Sequence, residues 1–275
     1  MLRHLLPALL LVSSSPLVIA ADPPPNVILL VTDDQGYGDL SCHGNPVLKT
    51  PHLDALHDES IRLTNYHVSP TCAPARSALM TGRFSDRTGC WHTINGRSIL
   101  RGNEITMGQI FQAAGYGTAM VGKWHLGDNY PSRPEDKGFL EVYRHGGGGV
   151  GQTPDYWDNA YFDGSYHHNG KIEPAQGYCT DVFFSQTKKF IEQQAQKKQP
   201  FFIYLCTNAP HGPNHAPEKF AAPYAEKFPT GLAHFYGMIA NIDDNMARLD
   251  RFLIDNDLRD NTIVIFMTDN GTATG

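Results

Sequence analysis

Two acidic pairs stand directly after continuous apolar runs: Asp33-Asp34 follows NVILLVT, and Asp269-Asn270 follows TIVIFMT. One such pair alone reads as a capped turn, because Asp and Asn side chains hydrogen-bond nearby backbone N–H groups. Two pairs ending two strand-like runs supply a hard, all-oxygen donor set of three carboxylates and one carboxamide. That set suits Ca²⁺ or Mg²⁺ and not a zinc centre built on imidazoles. Lys123 and His125 flank Trp124 after a third apolar run, and His211 follows Pro210 after a fourth. In isolation these would be surface or loop residues. At the ends of buried strands they become groups able to bind an anion or move a proton near neutral pH. Cys72 lies in the segment Thr71-Cys72-Ala73-Pro74-Ala75-Arg76-Ser77. A lone cysteine is most often a small buried hydrophobe, but Arg76, four residues on, would share its helix face.

The elements that must position these groups alternate along the chain. Asn26–Thr32, 117–121, 201–207 and Thr262–Thr268 are continuous apolar runs, as expected of parallel strands buried on both faces. Residues 51–58, 75–81, 106–114, 181–196 and 234–253 show helical periodicity, several opening with Ser, Thr, Asp or Pro. This alternation predicts an α/β fold: a mostly parallel, doubly wound sheet flanked by helices, which binds ligands beyond the carboxyl ends of its strands. Segment 131–178, rich in Gly, Pro, Tyr and His, shows no clear period and reads as an excursion over the sheet edge. Its Gly146–Gly149 run lacks the Lys-Ser/Thr ending of a phosphate loop and reads as a mobile turn. On a continuing strand, Lys123 and His125 would point to one side.

Composition bounds the rest. The 275 residues carry 22 Lys+Arg against 28 Asp+Glu, a formal net charge of -6, which excludes a basic nucleic-acid binder. With 41% hydrophobic residues, a chain this long can bury roughly 70–75% of its unfolded surface. Arg3 and His4, the apolar run from Leu5 to Val12 and the small residues before Ala20 read as a secretory signal over residues 1–20. A Pro-rich spacer over 21–25 and an α/β domain over 26–275 follow. The expected location is secreted or periplasmic, with no membrane span, since no stretch approaches the roughly 20 apolar residues needed. Cys42, Cys72, Cys90, Cys179 and Cys206 are odd in number and lack zinc-site spacing. Without Cys72 the other four allow three full pairings, none selected by sequence.

The run Cys72-Ala73-Pro74-Ala75-Arg76 with the downstream LMTGR resembles the C-x-P-x-R and L-x-T-G-R signature of formylglycine-dependent sulfatases, in the alkaline phosphatase superfamily. NVILLVTDDQGYGDL, GKWHLG, APHGP and DNTIVIFMTDNG also resemble family blocks in family order, so the likeness extends from Asn26 to Gly275. Position 75 is Ala where many members have Ser, and the core pattern is still satisfied. The resemblance implies that a formylglycine-generating maturation enzyme oxidises Cys72 to 3-oxoalanine. One geminal oxygen of its hydrate attacks sulfur and loss of the other's proton expels sulfate, a covalent route with a built-in exit. It further implies Asp33, Asp34, Asp269 and Asn270 as metal ligands, with an oxygen of residue 72. Arg76 would orient the hydrate, and Lys123 would bind sulfate. His125 would abstract the proton that frees sulfate, and His211 would bind sulfate and help protonate the leaving oxygen. Family members continue into a second active-site lysine and a C-terminal subdomain, so this chain reads as an N-terminal portion with that subdomain absent.

The function implied is hydrolysis of a sulfate ester on a carbohydrate or aryl alcohol. A phosphonate or phosphodiester hydrolase of the same superfamily is one alternative. A truncated, non-catalytic relative that binds sulfated glycans is the other.

Overall fold

The computed structural model describes residues 23–151 and 159–272, so the expected signal sequence and its cut after Ala20 lie outside the described residues. Strand β1 (Asn26–Thr32) is buried along its whole length, as a run of aliphatic and β-branched residues demands. It belongs to a seven-stranded sheet whose other strands follow in chain order. These are β2 (Gly117–Gly122), β3 (Glu141–Arg144), β4 (Ser165–His168), β5 (Lys171–Pro174), β6 (Phe201–Cys206) and β7 (Thr262–Thr268), arranged β5-β4-β3-β2-β6-β1-β7. The five strands from β3 to β7 in that spatial order run parallel. Strands β4 and β5 pair antiparallel at the far edge. The parallel pairing puts the carboxyl ends of β1, β2, β6 and β7 on one rim.

Helices α1 (Pro51–Glu59), α2 (Cys72–Thr81), α3 (Ser85–Thr88), α4 (Met107–Ala113), α5 (Cys179–Lys197), α6 (Glu218–Ala225) and α7 (Thr230–Asp255) complete the fold. Side-chain alternation divides them between two layers. Ile28 and Leu30 of β1, with Val121, Ile203 and Leu205, pack against Phe183 and Ile191 of α5 and Met238 and Ile242 of α7. Val27, Leu29 and Val31, with Met120, Phe202 and Tyr204, face the opposite way against Ala73 and Met80 of α2. Burying one such aliphatic or aromatic side chain contributes about 1.5–3 kcal/mol. Asp243 of α7 also fixes α1, accepting the free N–H groups of His52 at 3.0 Å and Leu53 at 2.8 Å. Among the described residues no helix is long and apolar enough to cross a membrane.

Two expectations need correction. Segment 131–178 is more than an excursion: it contributes β3, β4 and β5, extending the sheet. These strands have four residues each, too few for a period to emerge, although Tyr143 and Tyr166 are buried among them. Strand β7, expected to be buried on both faces, is the sheet edge and leaves Ile263 and Ile265 exposed. Helix α2 begins at Cys72, as the shared helix face of Cys72 and Arg76 requires, with Pro74 in its first turn, where proline is tolerated. All five cysteines are free.

Candidate active site

The register Thr32↔Thr268 between β1 and β7 brings the two acidic pairs side by side. Asp269 N donates to Thr32 O at 3.0 Å, Asp33 N to Ala209 O at 3.2 Å, and Asp34 N to Asp269 Oδ1 at 3.2 Å. Asp34 turns the chain with a left-handed φ of 57°, a conformation Asp tolerates better than most residues. One carboxylate oxygen from each of Asp33, Asp34 and Asp269 falls within 4.8 Å of the others. Asn270 joins them, with Nδ2 3.5 Å from Cys72 Sγ, while Cys72 Sγ lies 3.7 Å from Asp34 Oδ1.

Cys72 is the first residue of α2, whose early N–H groups lack intrahelical acceptors. One turn later Arg76, with no exposed surface, sends Nε and Nη2 to Asp269 Oδ2 at 3.0 and 2.8 Å and Nη1 to Lys123 O at 3.0 Å. Its Nη2 is also 3.6 Å from Asp33 Oδ1. Lys123, equally buried, donates Nζ to Asp33 Oδ2 at 2.5 Å. The structure thus brings Asp33, Asp34, Cys72, Arg76, Lys123, Asp269 and Asn270 together, as the strand ends suggested.

Burial, reinforced by the Asp33 carboxylate, pushes the Cys72 thiol up to about 12. At pH 7 only roughly one thiol in 10⁵ would then be ionised. Burial pushes Asp269 up to about 6, with the pull of Arg76 and the push of Asp33 working against each other. For Lys123 burial alone would favour the neutral amine, but Asp33 and the other nearby negative groups outweigh it and hold the pKa above its ordinary value. The centre therefore has three carboxylates against two cations, and Asp33 Oδ1 is buried without a hydrogen bond. A negative surplus, an unbonded carboxylate oxygen and three oxygen donors in mutual reach fit a hard divalent cation.

The histidines depart from the simple picture. Strand β2 stops at Gly122, and His125 has a left-handed φ of 56°, so the alternation placing Lys123 and His125 on one side does not apply. Gly122 itself, at φ 97°, lies so close to Cys206 O that any Cβ would collide with that carbonyl. His125 donates Nε2–H to Thr93 O at 3.0 Å, leaving Nδ1 buried and unpaired. Burial and the Lys123 charge push its pKa down to about 2, so the ring is neutral. A Cβ on Gly148 would meet the His125 ring at 2.7 Å, which makes the glycine run a close-packed lid on the imidazole in addition to a turn.

His211 donates Nδ1–H to Gly212 O at 2.7 Å and sits with Nε2 3.4 Å from Asp34 Oδ2. Sequence reasoning missed its support. Tyr161 donates to His211 O at 2.6 Å and accepts from Asn208 Nδ2 at 2.6 Å. Asn208 Oδ1 in turn accepts Val150 N at 2.8 Å. Tyr161 lies in the segment without a readable period; only the polar strand end at Asn208 signalled this network.

Comparison with known proteins identifies the family. The Sulfatase family model matches residues 25–275. Human N-acetylgalactosamine-6-sulfatase is 32% identical over 263 residues, covering 88% of this chain and 49% of the relative. The arylsulfatase of Klebsiella aerogenes is 29% identical over 302 residues, covering 88% and 65%. The crystal structure of Ps i-CgsB in complex with k-i-k-neocarrahexaose superposes with a TM-score of 0.81 at 30% identity, covering 91% of this chain and 59% of that one. The chain spans about half the length of the N-acetylgalactosamine-6-sulfatases it matches. By the family match over nearly all of its length, and by the motifs that converge at the sheet rim, the chain belongs to the sulfatase family.

Proposed function

We propose that this chain carries the catalytic centre of a secreted or periplasmic enzyme that hydrolyses the sulfate ester of a carbohydrate. The observation that carries the reading is Cys72 at the start of α2, facing three carboxylates and two buried cations at the rim of the sheet. The carbohydrate class rests on the relatives, one named for N-acetylgalactosamine 6-sulfate chemistry and one solved with k-i-k-neocarrahexaose. An aryl sulfate serves as a generic substrate, as the name of the Klebsiella aerogenes relative suggests.

Asp33, Asp34, Asp269 and Asn270 would hold Ca²⁺, with Mg²⁺ as the other candidate; a half-turn of the Asn270 amide presents its oxygen. Bound there, the cation supplies positive charge that polarises sulfate oxygens and the nucleophile. Oxidation of Cys72 by a formylglycine-generating enzyme supplies a hydrated aldehyde where the unmodified thiol is almost wholly protonated.

The remaining roles belong to side chains already in place. Arg76 fixes Asp269 and spreads positive charge beneath residue 72. Lys123, tethered to Asp33, presents a desolvated ammonium to sulfate. His125 offers Nδ1 as a lone-pair nitrogen, and an anionic substrate beside it raises its affinity for a proton. His211 holds a proton at Nε2 for the leaving oxygen.

Turnover of an aryl sulfate and an aryl phosphate diester by protein matured with a formylglycine-generating enzyme tests the proposal. Sulfate turnover abolished by Cys72→Ala and lost on chelation is expected. A large preference for the phosphate diester would replace the reading with the phosphodiesterase alternative, and binding of sulfated glycans without turnover would replace it with the non-catalytic one.

A further inference from the structure

A second cluster lies away from the acidic rim. Cys42 and His43, in the one-turn 3-10 helix Ser41–His43, meet His57 near the end of α1. The Cys42 sulfur and one ring nitrogen of each histidine all fall within 4.8 Å of one another. The outer nitrogens are already engaged. His43 Nδ1 donates to Tyr37 O at 2.8 Å, and His57 Nδ1 pairs with Asp58 Oδ1 at 3.2 Å. Those bonds fix the tautomer that leaves Nε2 as the lone-pair nitrogen of each ring, the orientation that metal-binding histidines receive from an outer carbonyl or carboxylate. His57 Nε2 is buried and has no hydrogen-bond partner, which a merely structural histidine would not favour. The Tyr37 ring stacks on His43 at 4.2 Å and 13°, holding the imidazole in place. Asp54 accepts the Cys42 N–H at 2.9 Å and anchors the cysteine.

We propose that Cys42, His43 and His57 form a second metal site, for Zn²⁺ or a similar borderline-soft divalent ion, with solvent completing the coordination. One sulfur and two imidazole nitrogens match zinc and exclude Ca²⁺ and Mg²⁺, so the chain would separate two metals by donor chemistry. Tetrahedral zinc needs its ligand atoms roughly 3.3–3.7 Å apart, which side-chain rotation achieves from the observed spacing. Binding replaces the thiol proton, released to solvent, with a sulfur–metal bond. The ion would clip the segment that follows the Asp33-Asp34 turn to helix α1.

The test is a Co²⁺ titration of the full chain with Ca²⁺ held in excess, followed by Zn²⁺ competition. Expected is a thiolate-to-cobalt charge-transfer band with intense visible bands of a four-coordinate ion, bleached by one equivalent of Zn²⁺. Cys42→Ser abolishes the charge-transfer band, and His57→Ala weakens zinc binding at least about tenfold, both with unchanged circular dichroism. The Cys72→Ala protein keeps the band. Absence of the band in the unaltered chain, its survival in Cys42→Ser, or its loss in Cys72→Ala would overturn the proposal.

Discussion

Replacing Arg76 by Met keeps much of the side-chain volume and removes the guanidinium. Asp269 then loses the charge-assisted hydrogen bond from Nε at 3.0 Å and the ion contact with Nη2 at 2.8 Å, in a position that is only 1% exposed and faces the Asp33 carboxylate. The carbonyl of Lys123 loses its donor as well. Removing one partner of a buried ion pair costs about 3–5 kcal/mol, because the other charge stays buried and uncompensated. That is a large part of a total stability of about 5–15 kcal/mol. For a domain of this size it corresponds to a fall in Tm of about 6–20 °C. Thermal and urea unfolding in chelator at pH 7 measure it. Asp269 already titrates near 6, above its ordinary value, and loss of Arg76 moves it higher. A raised carboxylate pKa contributes stability that is present at low pH and lost as pH rises through the folded value, so the defect should shrink toward pH 5. Adding Asp269→Asn to Arg76→Met should restore at least about 1 kcal/mol, since it removes the stranded charge. A cost below about 1 kcal/mol for Arg76→Met, or a double variant that is less stable still, would refute this electrostatic account.

Burial pushes Asp243 up to about 6 even though it accepts two N–H groups of α1, so its contribution to stability is complete below about pH 4 and is lost as pH climbs through 6. Asp243→Asn should therefore flatten the stability–pH curve between pH 4 and 6 relative to the unaltered chain. Gly122→Ala places a methyl group against Cys206 O at φ 97° and should cost at least about 3 kcal/mol, read as lost soluble yield and a lowered Tm. Tyr161→Phe strands Asn208 Nδ2 and frees the His211 carbonyl; a loss of about 1–3 kcal/mol in stability is expected, with kcat falling about tenfold at nearly constant KM.

The parallel core was legible because its strands are continuous apolar runs: β1 and β7 match the expected ranges, and β2 and β6 differ by one residue at an end, although only β1, β2 and β6 are buried on both faces while β7 is a half-exposed edge. The same continuity exposed Asp33, Asp34, Asp269 and Asn270, since charged residues ending an apolar strand have few structural uses. Strands β3 to β5 were hidden by their length, and α6 by Pro223 within it. The pose of His125 was hidden for another reason. Its left-handed backbone comes just after β2 stops at Gly122, where a carbonyl 84 positions away on β6 leaves no room for a Cβ. Contacts of that kind are set by tertiary packing and leave no local pattern. Tyr161 escaped notice likewise, since its value lies in a hydroxyl that reaches Asn208 and His211 in one loop about 50 positions away.

Peptide mass spectrometry on the tryptic peptide spanning 63–76, which contains Cys72, tests the central claim most directly. The protein should come from its own host or from cells supplying a formylglycine-generating enzyme. An aldehyde at position 72 is the predicted result, since Cys72-Ala73-Pro74-Ala75-Arg76 satisfies the C-x-P-x-R pattern in a chain of the sulfatase family. An unmodified thiol, in cells that modify a reference sulfatase, would contradict a catalytic role for this centre.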